Sequence, residues 1–254
     1  MTFRLSTGAR NALLGAQGLA GIFQKCKIDI YSGTQPLTAD AAATGTLLGT
    51  VTLGSGAYTP ETQATGTITL TGGTTSVATA TVGGLNIIPD GPVLYNTSLA
   101  QTASDLCDAI NRNGIYTATV SGAVVTLKPR PGVGDGHNAA VVTSTGSVTA
   151  TYANMSGGVD PVNGLTFAPV AGGVLTKPSS VVWGFLGIAA GTAGWFRVTG
   201  SVSDGGGAIS GVPYLARMDG SIATSGGEMS LSNIAVAVGA PNTIDQANFT
   251  MPAQ

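Results

Sequence analysis

A chain that folds in water ordinarily carries charge on about a quarter of its residues. Here the figure is 9%, with ten Lys and Arg and twelve Asp and Glu in 254 residues. Glycine (39 residues), Ala, Thr, Ser and Val take the place of charge; aromatics make up only 6%. Two outcomes fit such a composition. One is disorder, because Gly/Ser/Thr tracts bury too little apolar surface to offset chain entropy. The other is a fold whose exterior is largely turned toward other protein, so that fewer charges are needed for solubility. An apolar content of 43%, a mean hydropathy of +0.32 and many short Val/Ile/Leu runs select the second.

The runs carry mostly the period of strands. Lys27–Tyr31 alternates, with Ile28 and Ile30 on one face and Asp29 on the other. Similar runs follow at 46–53, 67–70, 77–82, 87–88, 117–120, 124–127 and 141–148, then at 166–168, 173–175, 180–186, 194–202, 214–217, 230–234 and 236–238. Ser121-Gly122-Ala123 reads as a tight hairpin. Two stretches read as helical. In the first, Ser6 caps a helix with Ala9, Leu13 and Leu14 on one face and Gly15 at its end, and a weaker turn over Leu19–Phe23 brings Ile22 and Phe23 together. In the second, Thr102 is the expected cap, Asp105 an imperfect capping-box partner, and Asn113-Gly114 the stop. The spacing predicts a mainly β protein. Residues 1–61 and 163–254 form a β-sandwich or barrel-like host domain with a helical arm over 1–24. Residues 62–162 form an inserted small α+β domain.

Several strings resemble known proteins. LSTGARNALLG (5–15), KIDIYSGTQPLTADAAATGTLLGTVTL (27–53), WFRVTGSV (195–202) and DGSIATSGGEMSLSN (219–233) resemble a group of tailed-bacteriophage structural proteins. The segment from Ser32 to Leu48 is the most specific part. The insert is similar to a small module of phage sheath, tail and other virion proteins, through GTITLTG (66–72), VATATVGGL (77–85), TASDLCDAINRNG (102–114), YTATVSGAVVTLKPR (116–130) and GDGHNAAVV (134–142). Such modules usually sit on the outside of a particle, and the resemblance carries no catalytic residue with it.

The chemistry-bearing inventory is thin. His137 is the only histidine. It lies in a Gly-rich turn beside Asp135, and no G-x-S-x-G nucleophile elbow exists. Gly132–His137 leads into a Val-rich strand rather than a helix, which removes the phosphate-loop reading, and Gly205–Gly207 reads as a loop tip. Asp204, Asp219, Glu228 and Asp245 match no calcium loop. A carboxylate pair set by the fold would leave no local trace. Cys26 and Cys107 form no CxxC pair and read as buried free thiols of a protein folded in a reducing cytoplasm. The Asn-x-Ser/Thr triplets at Asn96, Asn154 and Asn248 have no visible secretory leader to give them meaning. The longest apolar stretch, 181–194, is too short and too glycine-rich to span a bilayer. Trp183 and Phe185 alternate toward a core. Of the neighbours Trp195 and Phe196, one is expected to face outward.

These readings point away from an enzyme and toward a bacteriophage virion structural protein, first a capsid decoration or cement subunit. The alternatives are a tail, collar or baseplate component, and an exposed receptor- or glycan-binding module. Expected partners are other copies of the chain and other virion proteins, the major capsid protein or tail proteins. No direct nucleic-acid or membrane contact is expected, since basic residues are scattered singly. No cofactor or metal is expected. The expected location is the virion, after synthesis in the bacterial host cytoplasm. Leu13, Leu14, Ile22, Phe23, Trp195 and Phe196 are the expected contact residues.

Overall fold

The computed structural model describes residues 3–15, 17–209, 215–244 and 246–250. In chain order the first elements are β1 (Arg4–Leu5), α1 (Thr7–Leu14), α2 (Leu19–Ile22), β2 (Lys27–Ser32) and β3 (Leu47–Leu53). Next come β4 (Thr65–Gly72), β5 (Ser76–Val82), β6 (Leu85–Asn86), β7 (Val93–Leu94), α3 (Leu99–Asn113), β8 (Tyr116–Ser121), β9 (Val124–Pro129), β10 (Val142–Gly146) and β11 (Thr149–Ser156). The last are β12 (Val174–Thr176), β13 (Trp183–Leu186), β14 (Gly191–Thr199), β15 (Arg217–Ala223), β16 (Met229–Ser230), β17 (Ala235–Val236), β18 (Pro241–Ile244) and β19 (Asn248–Thr250). The protein is mainly β, with several antiparallel sheets. It divides into two compact units, Met1–Pro60 with Pro161–Gln254, and Glu61–Asp160.

In the discontinuous unit a nine-stranded sheet runs β1-β15-β14-β2-β3-β13-β18, with β16 beside β15 and β17 beside β14. Its inner face carries Ile28, Ile30, Val51, Phe196, Val198 and Met218, which close one core with Trp183 and Phe185. Gly49 makes room for that core, because a Cβ there would stand 2.2 Å from the Phe185 ring. Ser6 caps α1, its hydroxyl accepting from the Ala9 amide, and Gly15 ends the helix. Ala9 is buried and Leu13 partly so, but Leu14 points to solvent, so these three do not share a face. Ile22 and Phe23 join the core. Strand propensity overstated some runs: Thr166–Ala168, Ser180–Val182 and Leu231–Ile234 lie outside strands. In contrast, Pro241–Ile244 and Asn248–Thr250 are strands outside the expected runs, paired with β13 and β12.

The continuous unit has two four-stranded sheets. One runs β10-β5-β6 with β7 also on β5; the other runs β11-β4-β9-β8. The fifteen-residue helix α3 packs Ala103, Leu106 and Ile110 into a core with Ile68, Val125 and Leu127. The helix starts four residues earlier than a cap at Thr102 implies. Ser98 is its cap, accepting from the Gln101 amide. Thr102 is instead buried in the first turn, where it donates to Ser98 O and accepts from the Asn96 amide. Asp105 takes the side-chain amides of Asn96 and Gln101 rather than closing a capping box. Gly114 ends the helix in the left-handed region, at φ 71°. The run 141–148 is not one strand. It breaks at Gly146 (φ 121°), where a Cβ would meet Ser76 O at 2.4 Å, and the chain turns there into β11. Ile87 and Ile88 are buried beyond the end of β6, outside any strand. The junctions are formed by paired backbone: Thr59 bridges Val162 in one unit, and Thr62 bridges Val159 in the other.

Candidate functional site

The outer face of the nine-stranded sheet is the most polar buried region of its unit. Cross-strand register sets Arg4 opposite Asp219, Asp219 opposite Arg197, Arg197 opposite Asp29, and Asp29 opposite Thr50. Charge thus alternates along one row of four strands, the arrangement that favours such pairs. Arg197 Nε and Nη2 donate to Asp219 at 2.8 and 2.7 Å, with both side chains almost fully buried. Arg217 Nε and Nη2 donate to Asp204 at 2.6 and 2.5 Å. Lys27 Nζ and Thr50 Oγ1 donate to Asp29 at 2.6 and 2.7 Å.

Two loops close over this face. The remaining Nη1 donors of Arg197 and Arg217 both reach Ala41 O at 3.1 Å, and Arg217 also donates to Gly207 O. Asp40 accepts from the Thr7 amide and hydroxyl, which ties α1 to the same loop. Burial pushes the Asp204 carboxyl up, but the Arg217 hydrogen bonds, the Gly206 amide and the two arginine charges outweigh it, leaving its pKa below the usual value. For Asp219 burial prevails over the same kinds of contact, and its pKa lies above the usual value. The cluster works chemically as a clamp, since Asp29, Asp204 and Asp219 are each held by a cation.

Trp195 belongs to this face. It stacks on Tyr31 at 4.5 Å and 12°, with the Arg197 guanidinium over its ring. Phe196 points the other way, into the core. Both are buried. The expectation that one of them faces outward fails because the loops cover the second face of β14. Of the six expected contact residues, Ile22, Phe23, Trp195 and Phe196 are enclosed within the chain, Leu13 is half-buried, and Leu14 is 88% exposed. Sequence reasoning missed a different apolar group. Gly187 and Gly239 are joined by a backbone hydrogen bond, and around them Leu186, Ile188 and Val238 are exposed beside the exposed Pro241 that pairs with Leu186. The residues belong to two short segments about fifty positions apart, so no local pattern announces them.

In the continuous unit the buried Glu61 accepts from the Gly132 and Gly134 amides at 2.8 and 2.9 Å, which fixes the Gly-rich loop. His137, at the end of that loop, is hydrogen-bonded through Nδ1 to the Tyr116 hydroxyl. Burial pushes the Tyr116 pKa up to about 12. Across β5 and β10 threonine hydroxyls pair at 2.7 Å, Thr79 with Thr145 and Thr81 with Thr143. Both cysteines are buried free thiols, and burial pushes each pKa up.

A cleft of about 700 Å³ lies between residues 228–233 on one side and 241–244 and 246–249 on the other. Glu228 lines it, its carboxylate held by the Ser221 amide and hydroxyl. Asp245 lies outside the described residues. Among the described residues no group of three or more His, Cys, Asp or Glu side chains is placed to hold a metal ion, and no helix is long and apolar enough to cross a membrane. Comparison with protein-family models, curated proteins and solved structures finds no match to this chain.

Proposed function

We propose that this chain is a structural subunit of a tailed-bacteriophage particle, in the first place a capsid decoration or cement subunit. The observation that carries the reading is where the charges go. Of twenty-two formally charged side chains, Lys27, Asp29, Glu61, Arg197, Asp204, Arg217 and Asp219 are withdrawn into internal pairs and loop contacts. A chain already poor in charge is left with an exterior made chiefly of threonine, serine, glycine and apolar groups. Such a surface loses less on desolvation than a charged one, which favours burial against neighbouring protein. The exposed group of Leu186, Ile188, Val238 and Pro241 offers apolar area worth about 25 cal/mol per Å² removed from water. Repeated over a symmetric lattice, contacts of that size add up to firm attachment.

Copy number in purified particles tests the reading. A decoration role requires hundreds of copies per particle, by quantitative gel or mass spectrometry. A few to a few tens would move the chain to the tail, collar or baseplate, and none would end the virion assignment.

A further inference from the structure

We propose that the cleft between residues 228–233 on one side and 241–244 and 246–249 on the other binds a neutral oligosaccharide. The volume of about 700 Å³ falls within the range of roughly 300–1,000 Å³ for small-molecule sites. The lining combines an apolar floor with a rim of neutral hydrogen-bonding groups. Phe196, Leu231 and Phe249, all buried, form part of the floor; Asn233, Asn242 and Asn248 are among the rim groups. Among the described residues no Lys or Arg lines the cleft, so an anionic ligand finds no counter-charge from them. Glu228, which also lines the cleft, would repel such a ligand.

Two of the amides are held by the chain at one end only. Asn233 Oδ1 accepts from the Ala235 amide at 2.9 Å, and Asn242 Nδ2 donates to Ala240 O at 3.0 Å. Among the described residues this leaves the Asn233 amide nitrogen as an uncommitted donor and the Asn242 carbonyl oxygen as an uncommitted acceptor. A sugar hydroxyl both donates and accepts, and therefore matches such a pair. Trp195 is buried away from solvent and does not line the cleft.

The test is titration of the full chain, by heteronuclear NMR, with neutral gluco-, galacto- and N-acetylglucosamine oligosaccharides and with sialylated and sulfated counterparts. Saturable shifts centred on 228–233, 241–244 and 246–249 with a neutral member are expected. Asn233→Leu and Asn242→Leu should each weaken binding about tenfold, equivalent to about 1.4 kcal/mol. Ser232→Trp, at an exposed lining position, should block the cleft with an unchanged melting temperature. Three results would overturn the proposal: no saturable shift with any neutral member up to millimolar concentration, binding that survives Ser232→Trp, or equal binding of the anionic set. Capture of an extended peptide in place of sugars would overturn it too. The copy number of the chain in particles bears on none of these outcomes, so the two proposals fail separately.

Discussion

At the scale of single residues, the Arg197–Asp219 pair is the most exacting feature. Both side chains are almost fully buried and joined by two hydrogen bonds. Removing one partner strands the other charge in a place water does not reach, which costs about 3–5 kcal/mol. Arg197→Met alone is therefore expected to lower stability by that amount in urea denaturation. The double variant Arg197→Met/Asp219→Leu should lose distinctly less, because no charge is left unpaired. Acid sensitivity follows from Asp204. Its pKa is lowered in the folded state, while the unfolded chain protonates near its ordinary value of about 3.9. The stabilisation is complete above that value and is lost as pH falls through the folded pKa. Asp219 works in the opposite sense: its raised pKa gives stability that is present at low pH and declines as pH rises through the folded value. Asp204→Asn should therefore flatten the loss of stability below about pH 4, read as urea midpoints against pH. The two tryptophans supply a spectroscopic check. Trp183 and Trp195 are both 0% exposed, so iodide should quench neither, whereas an outward-facing Trp195 would be quenched readily.

At the scale of elements, stability depends on where backbone groups find partners. The loop 130–138 is held by one carboxylate that accepts the Gly132 and Gly134 amides. Glu61→Ala leaves two donors without that acceptor, at about 1–3 kcal/mol for each that stays buried. The expected result is a lower denaturation midpoint, with hydrogen-exchange protection lost first at 132–134. In β3, Gly49 accommodates the Phe185 ring. Gly49→Ala should cost about 1–3 kcal/mol through overpacking, with the added Phe185→Leu change restoring part of it.

For the whole molecule, the two units have separate cores. Thr59 and Val162 are already paired across the junction of the discontinuous unit. Replacing residues 61–160 with a short turn should therefore leave a folded host unit that unfolds cooperatively, because closing a short loop between paired ends adds little entropy cost. An aggregated or molten product, seen by loss of near-ultraviolet circular dichroism, would show that the unit cannot stand alone.

The sequence by itself determined the kinds of element and much of their placement. The alternation in KIDIY, the caps Ser6 and Gly114, and the hairpin at Gly122-Ala123 depend on neighbours along the chain, and local rules read them. It also pointed to Trp183 and Phe185 as core. Only the tertiary structure decided that the second face of β14 is closed over, that Arg197 and Arg217 share the carbonyl of Ala41, and that Leu186, Ile188 and Val238 converge. The cleft was hidden for the same reason, since its two walls come from separate segments. Periodicity reports which face of a strand is apolar, but not whether a distant loop returns to cover the polar one. Burial of that polar face rests on hydrogen bonds between residues more than 150 positions apart, and no local pattern records such partners.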